Sequence, residues 1–217
     1  RDFDKGDILA VKKIPLTFTE TRSTLRRTLF ELGAELLVAL LAQFGNGNIR
    51  GRKQQAQQSS IARKLTRENG YVPWQILTMA QKGKTLSDIT ASQSGLIRTW
   101  LQTEIGGALQ KNTQPDTPIA VLIDRMYRAF EPWPGVWTVV DMHNQSKRLK
   151  ILDMSTETDA LSIRTVQLEG KKSLPYAQFS NAYLPHTHKG RKLTGKLFPT
   201  PRQSHVTKTP HTLCALS

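Results

Sequence analysis

Arg128-Ala129-Phe130-Glu131-Pro132-Trp133-Pro134-Gly135-Val136-Trp137-Thr138 is the stretch on which the fold turns. Before it, Ile119 to Phe130 reads as a helix. After it come three short strand patterns: Trp137 to Met142, Leu149 to Met154 and Leu161 to Leu168. In the last, Leu161, Ile163 and Val166 partly alternate against Arg164 and Gln167. The prolines and glycine between cannot carry a helix onward and fix a corner from helix to strand. Short strands at this rhythm suggest a small barrel. The indoles of Trp133 and Trp137 are expected to fill its core, in preference to stacking on bases.

Working upstream, Ile76 to Leu109 is weakly patterned and helical, contains Trp100 and follows Trp74. Pro115 and Pro118 separate it from the helix at Ile119. Residues 46–60 have almost no apolar content and read as a linker. Ahead of the linker, Ile8 to Leu16 reads as a strand whose end Pro15 places at an edge. The hydroxyl-rich Thr17 to Ser23 can cap a helix, and Leu25, Leu29, Leu32, Leu36, Leu40 and Phe44 give that helix its apolar spacing. Gly45 stops it. Strand followed by amphipathic helix is the grammar of an α/β domain, and the strands that would pair with this one are not in the chain. Beyond Tyr183 the tail has no periodicity and is expected to be disordered. The expected divisions are therefore 1–45 (α/β remnant), 46–60 (linker), 61–184 (helices and a small β-barrel) and 185–217 (tail).

The chain has 217 residues and a formal net charge of +14. From Gly170 onward there are 8 cations and no carboxylate. Such an excess points to a polyanion, since Lys and Arg gain by displacing the counterions condensed on phosphates. Cys214 is the sole cysteine, which excludes an intrachain disulfide and suggests a reducing compartment. The longest uninterrupted apolar run, Leu36 to Ala42, is far short of the roughly 20 residues needed to cross a bilayer, so no membrane is expected. The chain starts at Arg1 directly before a strand pattern, and is read as a fragment lacking its N-terminal portion.

Three segments in order resemble the methionyl-tRNA formyltransferase family. Asp2-Phe3-Asp4-Lys5-Gly6-Asp7-Ile8-Leu9 looks like the family's Asp-Thr-Gly-Asp-Ile-Leu turn, and Leu32-Gly33-Ala34-Glu35-Leu36-Leu37 follows on the helix. Ala62-Arg63-Lys64-Leu65-Thr66-Arg67-Glu68-Asn69-Gly70, with Trp74 close behind, is similar to Ala-Pro-Lys-Leu-Thr-Lys-Glu-Asp-Gly. The third is the corner at 128–138 with Leu149-Lys150-Ile151-Leu152 after it. Glu169-Gly170-Lys171-Lys172 and Phe179 to Leu184 extend the likeness to the closing segment. The stretch from about Thr78 to Asp116 is longer than the family's usual connection, and the family's upstream Asn-x-His-x-Ser-Leu-Leu-Pro segment is absent.

The resemblance implies the C-terminal remnant of a Rossmann-like formyltransferase domain, then an OB-like barrel domain with a helical insertion. It implies 10-formyltetrahydrofolate as co-substrate, no metal, and the amino group of initiator methionyl-tRNA as acceptor. It carries one catalytic residue onto this chain, Asp4, with Gly6 letting the backbone approach the folate side of the loop. By spacing alone Asp4 would be a turn former. The catalytic Asn and His would lie upstream, so the fragment alone is expected to be inactive. The tRNA contacts are expected at Arg50, Arg52, Lys53, Arg63, Lys64, Arg67, Lys171 and Lys172, lining a cleft between the two domains. A monomer in the bacterial cytoplasm is the expectation, with the mitochondrial matrix second. Two other functions fit the residues less well: an amino-sugar formyltransferase, which needs no basic linker, and an RNA-binding module without catalysis.

Overall fold

In a computed structural model, the residues described are 6–47, 49–55, 63–142 and 145–184. The helix expected at the corner runs Ile119–Phe130 (α6) and buries Ile119, Leu122, Ile123, Met126 and Phe130 along one side. Each such side chain removed from water contributes roughly 1.5–3 kcal/mol. At the corner, Glu131-Pro132 and Trp133-Pro134 are cis, and Gly135 takes a φ of 69° and donates its N–H to the Phe130 carbonyl at 2.9 Å. A left-handed φ is what glycine supplies without steric cost.

The chain then runs into Val136–Met142 (β1), Gln145–Glu157 (β2), Ala160–Leu168 (β3) and Ser173–Pro175 (β4). They form one antiparallel sheet in the order β1-β2-β3-β4. The period of two buries Val136, Val140, Leu149, Ile151, Val166 and Leu168 on one face. That face packs under α6, under Trp74–Gln81 (α2) and under Tyr176–Tyr183 (α7), whose Phe179 is fully buried. A bulge near Asp153 shifts the β2–β3 register.

The barrel expectation is corrected here. β1 and β4 are the two edges of an open meander, and among the described residues they do not pair. A closed barrel needs its edge strands joined. Trp133 and Trp137 are corrected too. Trp133 is 47% exposed, and Trp137 is half-buried on the sheet's other, uncovered face, because its strand position alternates with the inward Val136 and Thr138.

The weakly patterned region resolves into α2, Leu86–Thr90 (α3), Gly95–Leu101 (α4) and Glu104–Lys111 (α5). Five to eight residues per helix give too few turns for a readable period. What orders them is capping and packing: Thr85 and Asp88 form a reciprocal capping box at α3, and Ile76, Leu77, Ile89, Ile97 and Trp100 join the core. The Trp100 indole donates to the Tyr71 carbonyl at 2.8 Å. A 3-10 turn at Arg67–Gly70 sits against the corner so closely that a Cβ on Gly70 would lie 2.0 Å from the Gly135 carbonyl oxygen.

Upstream, Arg22–Gly45 forms a 24-residue helix (α1), capped by a Thr21/Thr24 box. Leu25, Leu32, Leu36 and Leu40 are half-buried, as are Ile8, Ala10 and Ile14 of the preceding segment. On α1, Leu29, Phe30, Leu37, Val38, Leu41 and Phe44 are exposed. Ile8 to Leu16 differs from expectation: it forms a single bridge, Ile8 to Arg52, in place of a strand within a sheet. Among the described residues α1 is the helix long and apolar enough, by length and composition, to cross a membrane. Glu31 and Glu35 interrupt its apolar sequence, so no unbroken apolar run marks it.

Candidate nucleic-acid interface and catalytic turn

Arg50, Arg52 and Lys53 lie beside the turn that carries Gly6 and Asp7. The Ile8 amide donates to the Arg52 carbonyl at 2.8 Å, and the Arg52 amide returns a bond to the Ile8 carbonyl at 3.0 Å. Gln54 Nε2 donates to the Gly6 carbonyl at 2.7 Å. A Cβ on Gly51 would meet the Asp7 Cβ at 2.6 Å, so a glycine is what lets the linker return this closely. All three cations are exposed. Gly6 has open space where a Cβ would be. Asp4 falls outside the described residues.

Of the remaining predicted cations, Arg67, Lys171 and Lys172 lie at the sheet. Arg63, Lys64 and Arg67 are exposed, and the Arg67 carbonyl accepts from the Trp137 indole at 2.9 Å. Across the open face one row of paired residues runs Trp137, Lys150, Gln167 and Ser173. Lys171 and Lys172 occupy the turn before β4, where the Lys171 carbonyl accepts from Gln167 Nε2 at 3.1 Å. Adjacent strands are about 4.8 Å apart, so this row separates the Arg67 side from the Lys171 side by about 14 Å. The predicted cations therefore form two sets: the linker trio at the catalytic turn, and a second set framing the open face.

Two cations on that face escaped the sequence reading. Arg148 pairs across with Val139 and Lys150 with Trp137, so both alternate with the buried Leu149 and Ile151. The signal was present in Lys147-Arg148-Leu149-Lys150-Ile151 as a two-residue period.

A pair of arginines joins the two regions. Arg128 Nε bonds Asp124 Oδ2 at 2.8 Å while its Nη1 donates to the Glu20 carbonyl at 3.1 Å. Arg22 Nη1 donates to the Trp133 carbonyl at 2.9 Å. Beside them the Thr17 amide, and also its hydroxyl, donate to Glu20 Oε1 at 2.8 Å. Led by that amide, these bonds hold the Glu20 carboxyl down from an ordinary 4.5 to about 2. Near the sheet, hydrogen bonding from its own backbone and from Thr66 lowers the Glu68 carboxyl, with Arg67 and Arg148 adding to it. Among the described residues no trio of His, Cys, Asp or Glu is placed to hold a metal.

A helix-to-strand corner leading into an antiparallel sheet is also what the comparisons pick out. Residues 119–160, which cover α6, β1, β2 and the start of β3, match the formyl transferase C-terminal domain. Over a wider extent the chain is similar to methionyl-tRNA formyltransferases. It is 26% identical to that of Roseiflexus castenholzii (strain DSM 13941 / HLO8), across 88% of this chain and 52% of the relative. It is 26% identical to that of Roseiflexus sp. (strain RS-1), across 81% and 47%, and 24% identical to that of Acidobacterium capsulatum, across 86% and 54%. The chain spans about half the length of these curated relatives.

Proposed function

We propose that this chain is the acceptor-holding half of an enzyme that moves a formyl group from 10-formyltetrahydrofolate to the amino group of initiator methionyl-tRNA. The observation that carries the reading is the likeness to methionyl-tRNA formyltransferases across 81–88% of the chain in the two Roseiflexus relatives. The net charge of +14 supports a polyanionic acceptor over a nucleotide sugar. In this reading the linker trio and the cations framing the sheet grip RNA phosphates, which positions the tRNA without reading its sequence. Asp4 orients and accepts proton density from a histidine supplied upstream, and the turn at Gly6 faces the folate donor. The catalytic remnant covers residues 1–45, the linker 46–60, the tRNA-holding domain 61–184 and the basic tail 185–217. The intact protein acts as a monomer in the bacterial cytoplasm, without a metal or a membrane, and this fragment alone does not turn over.

The test is Asp4→Ala in the intact enzyme. Turnover should fall by about 10² or more while tRNA affinity barely moves. Equal loss of both would refute the role given to Asp4. Binding of a nucleotide amino sugar in preference to tRNA would move the acceptor to the sugar class.

A further inference from the structure

We infer that Arg148 is a phosphate-binding arginine, held ready on the open face of the sheet for the sugar-phosphate chain of a bound RNA. This rests on the reading of tRNA as acceptor and names a contact within it. The Arg148 Cζ lies 4.8 Å from the centre of the Trp137 ring. Trp137 is itself held: its indole N–H is bonded to the Arg67 carbonyl, its carbonyl accepts the Val72 amide at 2.9 Å, and the Tyr71 ring is 5.0 Å away. The guanidinium thus rests on a fixed platform, and cation–π attraction limits its rotamers before any ligand arrives. Preordering of this kind lowers the entropic cost of binding.

The charge of Arg148 reaches Glu68 only as a minor contribution, without a close ion pair. Among the described residues no carboxylate lies within ion-pair distance of Arg148, whereas Arg128 has Asp124 and Arg164 has Asp153. Arg148 Nε is buried with no hydrogen-bond partner. The two nearby acids are engaged elsewhere: Glu68 is hydrogen-bonded to backbone and Thr66, and Glu169 Oε2 faces the Arg148 backbone amide at 3.4 Å. A half-desolvated guanidinium without a carboxylate is unfavourable by itself and is relieved by an anion whose oxygens match its fork. Lys150 lies two residues along the strand on the same face, and Arg67 and Lys171–Lys172 stand at the row's two ends. This spacing suits a ligand with several phosphates along an extended chain, and the surface is a sheet face, not an enclosed pocket. Single-stranded or looped RNA on a basic sheet face is a recurrent mode of recognition.

The experiment measures affinity of the 217-residue chain for unacylated initiator tRNA across a salt series. For Arg148→Gln the slope of log K against log salt should become shallower by about one, with affinity lower by roughly tenfold in dilute buffer. Arg148→Lys keeps the charge but neither lies flat on the indole nor forks, so the slope should hold while affinity drops several-fold. Arg164→Gln, on a paired arginine, should change neither. Partial unfolding would lower the saturating fraction without altering the slope, which separates it from a lost contact. An Arg148→Gln variant with wild-type slope and affinity would overturn the inference and leave the acceptor assignment standing. Failure of the wild-type chain to bind tRNA in dilute buffer would instead remove both.

Discussion

At the scale of single residues, Glu20 shows how a surface carboxylate can be part of a joint. Its side chain gathers the Thr17 amide and hydroxyl, and its carbonyl receives Arg128. A carboxyl whose folded value is depressed to about 2 adds stability that is fully present above its ordinary 4.5. That contribution fades as pH falls from 4.5 through 2, as the group takes up its proton. The Glu20 carboxyl resonance should therefore titrate with a midpoint near 2, and Thr17 amide protection should fall over the same range. Glu20→Gln should abolish the pH dependence of that protection; a midpoint near 4.5 would show that the Thr17 bonds do not form. Trp137 makes the complementary point about legibility. Its motif placed the corner correctly, yet which face an indole occupies depends on strand parity relative to neighbours and on Gly135, and composition records neither.

At the scale of elements, α1 is the outlier. Of the six residues that helical spacing picks out in the sequence, Leu25, Leu32, Leu36 and Leu40 form a half-buried stripe, while Leu29 and Phe44 are exposed. A second apolar stripe, with Phe30 at 67% and Val38 at 68% exposed, lies open apart from the Arg26 guanidinium 5.3 Å from the Phe30 ring. An uncovered stripe of this size binds apolar probes. The chain in isolation should enhance the fluorescence of a hydrophobic dye, and Leu37→Lys with Leu41→Lys should reduce that signal without lowering the melting temperature. A signal unchanged by the double substitution would place the dye elsewhere. The helix of α1 was readable because spacing and capping are local, whereas the strand expected at 8–16 forms a single bridge in place of a sheet. The sheet's openness was not readable, because closure depends on whether β1 and β4 meet, a contact between residues about thirty-five apart in the chain. The same locality explains why α6, with a whole face of apolar side chains, was placed to its ends, while α3 and α4 were blurred into one region.

At the scale of the molecule, the described residues belong to one compact unit, Arg1–Pro185. The predicted cations turned out to be legible as residue types but not as a surface. The linker trio is brought to the Gly6–Asp7 turn by two reciprocal backbone hydrogen bonds between Ile8 and Arg52, and no pattern in residues 46–60 announces that return. Arg148 and Lys150 were hidden by being in a strand.

The joint between α1 and the corner uses the same residue type as the RNA surface, but its arginines point at peptide carbonyls: Arg22 at Trp133 and Arg128 at Glu20. Dipoles of that kind release no condensed ions when they are engaged, so mobile electrolyte competes with them far less than with phosphate contacts. Potassium chloride concentrated enough to wash nucleic acid from the protein should leave this joint clasped, with hydrogen exchange at Arg22 and Arg128 unchanged. The ionic medium would then set how long cargo stays aboard without altering the posture of the carrier.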